Sequence, residues 1–460
     1  MDSKKIVEME KAGFEKMGAW LNARGITEVE CLVPDMTGIP RGKILPRTKF
    51  HSDKGMRLPE SVLGMTVTGE YPDDDAFHTV IRETDNDMVL RPDPDTVCMV
   101  PWTIDPTAQV IHDCFTFEDK LVEYAPRSVL RKVLDLYAKQ GWKPVIAPEL
   151  EFYILARNTD PDMPLQAPIG RSGRAEAGRQ AYSIDAVNEF DPLFEDIYEY
   201  CDQQNLEIDT LIHEVGTGQM EINFMHGDPL HLADSVFLFK RTVREAAFRH
   251  EMYATFMAKP MADQPGSAMH IHQSVLDIKT GENLFANADG SDSDLFFHAI
   301  GGFQQYLPPA MVLMAPFVNS YRRLVRDNAA PINVQWGRDN RTVGIRIPEA
   351  NKVARRIENR LPGVDANPYI AIATSLACSY LGMMNKIKPQ AELTGNAYSH
   401  AQELPRSLLE SMDLLLSVPD LHEVLGESFI KLYLSVKRQE YTEYMKVISP
   451  WERRHLLLHV

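Results

Sequence analysis

The chain has 460 residues, 44% hydrophobic and 25% charged. That makes it globular rather than disordered and long enough for two or more domains. A net charge of −17 with no basic stripe argues against a nucleic-acid partner. The five cysteines (Cys31, Cys98, Cys114, Cys201 and Cys378) show no CxxC or paired spacing, which points to reduced thiols in a cytoplasmic compartment.

In chain order, "MDSKKIVEMEKAGFEKMGAWL" reads as an amphipathic helix and not as a secretory signal. Short strand-like runs follow at Glu28–Pro34, Asp87–Pro92 and Val97–Trp102, broken by many prolines and glycines. A helix is predicted from Pro126, near its first turn, to just before Gly141. Beyond it, acidic strand-like segments alternate with helices, among them Leu232–Met257 and Pro368–Asn385. The fold class is therefore α+β, with a small β-rich domain over 1–120 and a large domain over 121–460. No membrane span is expected. The uncharged run Leu295–Tyr321 is interrupted by Pro308, Pro309 and Pro316. Ile370–Met384 falls short of the roughly 20 residues a span needs.

The chemistry is concentrated in a few strands. In "PELEFYIL" (Pro148–Leu155) alternation puts Glu149 and Glu151 on one face and Leu150, Phe152 and Ile154 on the other. "IHEVGTGQMEINF" carries Glu214 and Glu221 around a glycine-containing turn, and "AMHIHQS" puts His270 and His272 on one face. With Glu358 this makes five carboxylates and two imidazoles, an inventory that suits Mg²⁺ or Mn²⁺. Cation charge would relieve the repulsion between paired acids. Seven arginines (Arg323, Arg338, Arg341, Arg346, Arg355, Arg356 and Arg360) crowd one short region, and their guanidinium forks suit carboxylate and phosphate. Metal-binding carboxylates beside such arginines suggest phosphoryl transfer, without any GxxxxGK[ST] loop.

Together these segments resemble the glutamine synthetase family along nearly the whole chain. The markers are "DMTGIPRGK", "PELEFYIL", "HEVGTGQMEINF", "KPMADQPGSAMHIHQS", "NSYRRL", "NRTVGIRIP", "ARRIENRLPGVDANPY" and "NKIKP". The resemblance implies an N-terminal β-grasp domain and a C-terminal catalytic domain with a curved antiparallel sheet and helices. It also implies a homo-oligomer with active sites between subunits, a dodecamer of two stacked hexameric rings or a single hexamer. Carried over by motif, Glu151, Glu214 and Glu221 would ligate one metal, and Glu149, His270 and Glu358 a second. His272, Ser274 and Arg356 would contact ATP, and Arg323 with the Gly266 backbone would hold L-glutamate. Arg341, Arg346 and Arg360 would grip the transferred phosphate and the substrate carboxylate. The implied cofactors are ATP and about two or three Mg²⁺ or Mn²⁺ ions per site.

Departures from the family pattern bear on the amine. Ammonia-using bacterial members carry an "FDGSS"-type aspartate and a glutamate before "AP" in the flap. Here "RLPESVLG" puts Pro59 at the first position, and "RLVRDNAAP" puts Ala329 at the second. Losing both acids favours an organic primary amine, polyamine or monoamine, over ammonium. Asp87 and Glu60 become candidates for orienting or deprotonating that amine. The pattern, with its "SPWERRHLL" ending, resembles the γ-glutamylpolyamine (γ-glutamylputrescine) synthetase branch, which implies amine catabolism. An ammonia-using enzyme and a non-catalytic assembly or sensor are the alternatives. Tyr398 in "GNAYSH" lies near the family's modifiable tyrosine, with different flanking residues.

Overall fold

The computed structural model describes residues 3–326 and 330–460, with residues 3–11 described by backbone alone. Ala329 lies outside the described residues.

Two sheets organise the chain. The first contains β1 (Glu28–Pro34), β2 (Pro40–Pro46), β3 (Met56–Pro59), β4 (Asp87–Pro92), β5 (Cys98–Met99) and β6 (Thr107–Phe115). Its order is β2-β1-β6-β4-β3, with β5 also on β6. The second contains β7 (Trp142–Ala156), β8 (Ile208–His213), β9 (Gln219–Phe224), β10 (Met252–Thr255), β11 (Met269–Asp277), β12 (Trp336–Arg338), β13 (Ile345–Ile347) and β14 (Ile357–Asn359). Its order is β12-β13-β14-β11-β7-β9-β8, with β10 also on β7. This mixture of sheets and helices is α+β.

The apolar face of β7 sets the core. Leu150, Phe152 and Ile154 are fully buried, as alternation requires, and the Phe152 ring meets Phe239 edge-on at 6.3 Å. Each such side chain contributes about 1.5–3 kcal/mol by leaving water. Phe239 lies on the helix Pro229–Arg249, which starts where the Asp228 side chain accepts the N–H groups of Leu230 and His231. Helix Pro368–Asn385 is buried without a break from Pro368 to Met383, as an all-round apolar sequence demands. Helix Asp294–Met314 runs through Pro308 and Pro309. Among the described residues, no helix is long and apolar enough to cross a membrane.

Two sequence expectations need correction. The helix expected over Leu232–Met257 begins earlier and stops at Arg249. Glu251 takes φ 58°, a left-handed conformation that ends the helix and turns the chain into β10. The run Val97–Trp102 pairs only at Cys98–Met99, and Pro101 cannot donate to a ladder. The helix Pro126–Lys139 is as expected, with Gly141 at φ 76° beyond its end.

The two sheets are joined by buried polar contacts. Arg127, 3% exposed, reaches Asp93 (2.7 Å) and Asp113 (2.6 Å) on the first-sheet side. It also reaches Asp234 (2.8 Å), which accepts the Tyr369 hydroxyl at 2.7 Å. All five cysteines are free and buried.

Candidate active site

Strand register gathers the charged groups on one face of the second sheet. Glu149 stands opposite His270, Glu151 opposite Glu221, His272 opposite Glu358, and Glu358 opposite Arg346. Cross-strand partners point to the same side of a sheet. Four strands, β7, β9, β11 and β14, therefore deliver acids and imidazoles to one surface while Leu150, Met220 and Met269 face the core.

The side chains interlock. His272 Nε2 lies 2.7 Å from Glu149 Oε1, and Arg356 Nε donates to His272 Nδ1 at 3.2 Å. That fixes the proton of His272 on Nε2. His270 Nδ1 lies 3.4 Å from Glu149 and 3.8 Å from Glu358, and its Nε2 is 4.0 Å from Glu151. Glu358 takes Arg346 at 2.6 Å on one oxygen and Arg360 on the other. Glu151 Oε2 accepts the Ala268 N–H at 2.8 Å and the Gln219 amide at 3.4 Å.

The electrostatics divide the five acids. Burial, then neighbouring Glu214, pushes Glu151 up to about 8. Burial, then Glu151, Glu149 and Glu214, pushes Glu221 up to about 9. Glu214 is also raised by burial, against the opposing pull of the Val215 N–H and Arg341. For Glu149 burial is outweighed by the hydrogen bonds to His270 and His272, which hold it well below the carboxylate range. Arg360 overcomes burial at Glu358 and lowers it to about 2. Burial, then Arg360, lowers His270 to about 4, leaving a neutral imidazole.

This donor set fits divalent cations. Two facing glutamates that resist ionisation together are what a hard cation resolves, and neutral imidazole is a competent ligand. Ligand atoms of Glu149, Glu221 and His270 lie within 4.8 Å of one another, as do those of Glu149, His272 and Glu358. Glu149 is thus common to both groupings, which differ from the two triads the resemblance implies.

The remaining expected residues distribute as follows. Arg323, 2% exposed, donates to Leu361 O (2.8 Å) and Arg360 O (2.9 Å). Gly266 lies against it, and a Cβ there would come within 2.6 Å of Arg323 Cγ. Ser274 follows His272 on the same face of β11 and lines two adjoining cavities of about 400 and 680 Å³. The smaller is also bordered by His272 and Arg356, with Val145, Ile146 and Val353 as apolar wall. Arg341 is exposed near Glu214. Glu60 and Asp87 lie at one end of the antiparallel pair β3–β4, where Pro59 pairs with Asp87. Glu60 accepts the Tyr124 hydroxyl at 3.1 Å and is raised, chiefly by burial. Among the described residues neither bonds to the carboxylate face. Tyr398 is half-buried and donates to Ala330 O at 3.0 Å.

Arg338 and Arg355 do not join the site. Both pair with Asp292, at 2.5 and 2.9 Å. Conversely, sequence reading missed Gln219, whose amide also donates to Gly266 O at 3.1 Å. It sits two residues before Glu221, so strand alternation alone could have found it. His213 and Glu176, paired at 2.8 Å beneath the Glu214 turn, carried no local signal.

Comparison with known proteins agrees with this geometry. The glutamine synthetase catalytic domain profile matches residues 123–456. The γ-glutamylputrescine synthetase PuuA of Escherichia coli (strain K12) is 34% identical over 437 residues, covering 93% of this chain and 91% of that protein. A glutamine synthetase of Pyrococcus abyssi (strain GE5 / Orsay) is 32% identical over 438 residues, with 93% and 92% coverage. A glutamate–isopropylamine ligase of a Pseudomonas species is 30% identical over 455 residues, with 97% and 98% coverage. Among solved structures, "Apo GmaS without ligand" superposes with a TM-score of 0.82 at 27% identity, covering 96% of this chain and 99% of that one. The chain belongs to the glutamine synthetase family of ATP-dependent ligases.

Proposed function

We propose that the protein ligates an organic primary amine to the γ-carboxylate of L-glutamate, using ATP, through γ-glutamyl phosphate. The observation that carries the reading is Pro59, paired with Asp87 across β3 and β4, at the position where the family resemblance implies an aspartate in ammonia-using members. Without that acid this edge of the first sheet loses its hold on a small cation. Two of the relatives above are named for ligation of amines larger than ammonia.

In this reading the γ-carboxylate oxygen attacks the γ-phosphorus of ATP and the bond to the β-phosphate oxygen breaks, releasing ADP. The amine nitrogen then attacks the activated carbonyl carbon, and inorganic phosphate leaves. Arg323 and the backbone at Gly266 hold glutamate. His272, Ser274 and Arg356 orient the nucleotide, whose base takes the apolar wall at Val145 and Val353. Arg341, Arg346 and Arg360 neutralise charge building on the transferred phosphoryl group. Mg²⁺ or Mn²⁺, held by Glu149, Glu151, Glu214, Glu221, His270 and Glu358, would supply further neutralisation of the phosphate oxygens. An alkylammonium must shed a proton before it attacks, and Glu60 or Asp87 of a neighbouring subunit is the proposed acceptor. A cytoplasmic homo-oligomer, a dodecamer or a single hexamer, and a role in amine catabolism complete the proposal.

The test is glutamate-dependent phosphate release across ammonia, methylamine, isopropylamine, benzylamine, putrescine and spermine. Faster release with an organic amine than with ammonia supports the reading. Rapid release with ammonia alone favours the glutamine synthetase reading, for which the Pyrococcus relative's name speaks. No ATP turnover with any amine would make the chain a non-catalytic assembly.

A further inference from the structure

We infer that Asp365 is a positioning residue for glutamate recognition, fastening the segment that carries Arg323 to the segment that carries Arg360. The inference rests on the reading of Arg323 and Arg360 given above.

The turn Val318–Arg322, which leads into Arg323, belongs to neither sheet. Side chains fasten it instead. Ser320 Oγ donates to Asp365 Oδ2 at 2.6 Å and accepts the Phe317 N–H at 3.0 Å, so the start of the turn is relayed to Asp365. Asn319 exchanges two hydrogen bonds with the Lys259 backbone, both at 2.9 Å. Arg323 then closes the contact on the carbonyls of Arg360 and Leu361.

Asp365 is itself held firmly. Lys240 Nζ donates to the carbonyls of Val364 and Ala366, at 2.5 and 2.9 Å, on either side of it. The carboxyl lies over Gly363, where a Cβ would come within 2.4 Å of Asp365 Oδ1. That oxygen is sealed from solvent and, among the described residues, takes no hydrogen bond from another residue. A half-satisfied buried carboxylate costs stability, so packing alone does not account for it. Its effect on Arg323 does. Of the five guanidinium N–H donors, two are engaged by backbone carbonyls, leaving three for a carboxylate whose grip depends on the direction of the fork. Small displacements of such a fork weaken binding sharply.

The test is steady-state kinetics and thermal melting of Asp365→Ala, Asp365→Asn and Ser320→Ala. Asp365→Ala should raise the glutamate KM about tenfold while the ATP KM moves less than about twofold. Ser320→Ala, the milder change, should give roughly a threefold rise in the same constant. Asn can still accept the Ser320 hydrogen bond and should restore the glutamate KM to within about threefold of the parent. If Asp365→Ala does not fold, Ser320→Ala decides. A lowered melting temperature with unchanged glutamate KM, or equal changes in both KM values, overturns the inference. A parent enzyme that releases no phosphate with glutamate overturns the functional reading and this inference with it. An active parent whose variants match it in glutamate KM overturns this inference alone.

Discussion

Two buried charge clusters in this molecule look alike in composition and differ in balance. Around Arg127, every oxygen of Asp93, Asp113 and Asp234 has a protein donor. These come from Arg127, Arg131, the Asp95 N–H and the Tyr369 hydroxyl. On the second sheet Glu151 and Glu221 face each other across the register. Among the described residues no lysine, arginine or histidine lies within ion-pair distance of Glu214 or Glu221. The first cluster is complete within the protein and holds the two sheets together. The second lacks a counter-charge of its own at Glu214 and Glu221, and that incompleteness is what supports the proposed binding of cations there.

Removing one charged group from each cluster should therefore have opposite signatures. Glu221→Gln is expected to cut phosphate release by at least ~10³-fold while leaving the metal-free melting temperature unchanged or higher, because the cost of burying that carboxyl beside other acids is gone. Retained turnover would mean the face is only a solvated acidic patch. Arg127→Met should do the reverse. It takes the shared guanidinium from three carboxylates, leaves Asp234 with the Tyr369 hydroxyl alone, and should cost roughly 3–5 kcal/mol in urea denaturation. A loss under about 1 kcal/mol would remove the distinction.

Beside the Arg127 cluster, His112 supplies a pH test. It is fully buried, and burial lowers its pKa to about 4. The unfolded state binds a proton near 6.5 and the folded state does not, so its share of stability is intact above that pH. That share fades as pH falls toward 4, by an amount of order 3 kcal/mol. Urea midpoints measured from pH 7 to 4 should converge for parent and His112→Asn; parallel curves would contradict this.

The smallest effect separates neighbours in sequence. Arg355→Met should change turnover by less than about threefold, because Arg355 serves Asp292. Arg356→Met removes the donor that fixes the His272 tautomer and should cost about tenfold or more. Steady-state rates at saturating ATP compare them directly.

The carboxylate face was legible because strand alternation is local: Glu149 with Glu151, and His270 with His272, could be placed before any pairing was known. Register then added the cross-strand partners. What escaped was non-local or conformational. Arg338 and Arg355 are drawn away by Asp292, more than forty residues earlier, and no spacing announces that. The end of helix Pro229–Arg249 depends on a glutamate adopting a left-handed conformation, where sequence rules look for glycine. Asp365 sits inside the marker "ARRIENRLPGVDANPY" with no spacing to single it out, and its partners Ser320 and Lys240 lie on two other segments.

The most direct measurement is a Mn²⁺ titration of the purified protein and of Glu221→Gln, followed by calorimetry or by the paramagnetic signal of free ion. The account predicts that the parent binds about two ions per chain. It predicts weakened or lost binding in the variant, with the Arg127 cluster contributing none. A parent chain that binds no Mn²⁺, or a variant that binds as well as the parent, would contradict the claim that cations complete the acidic face.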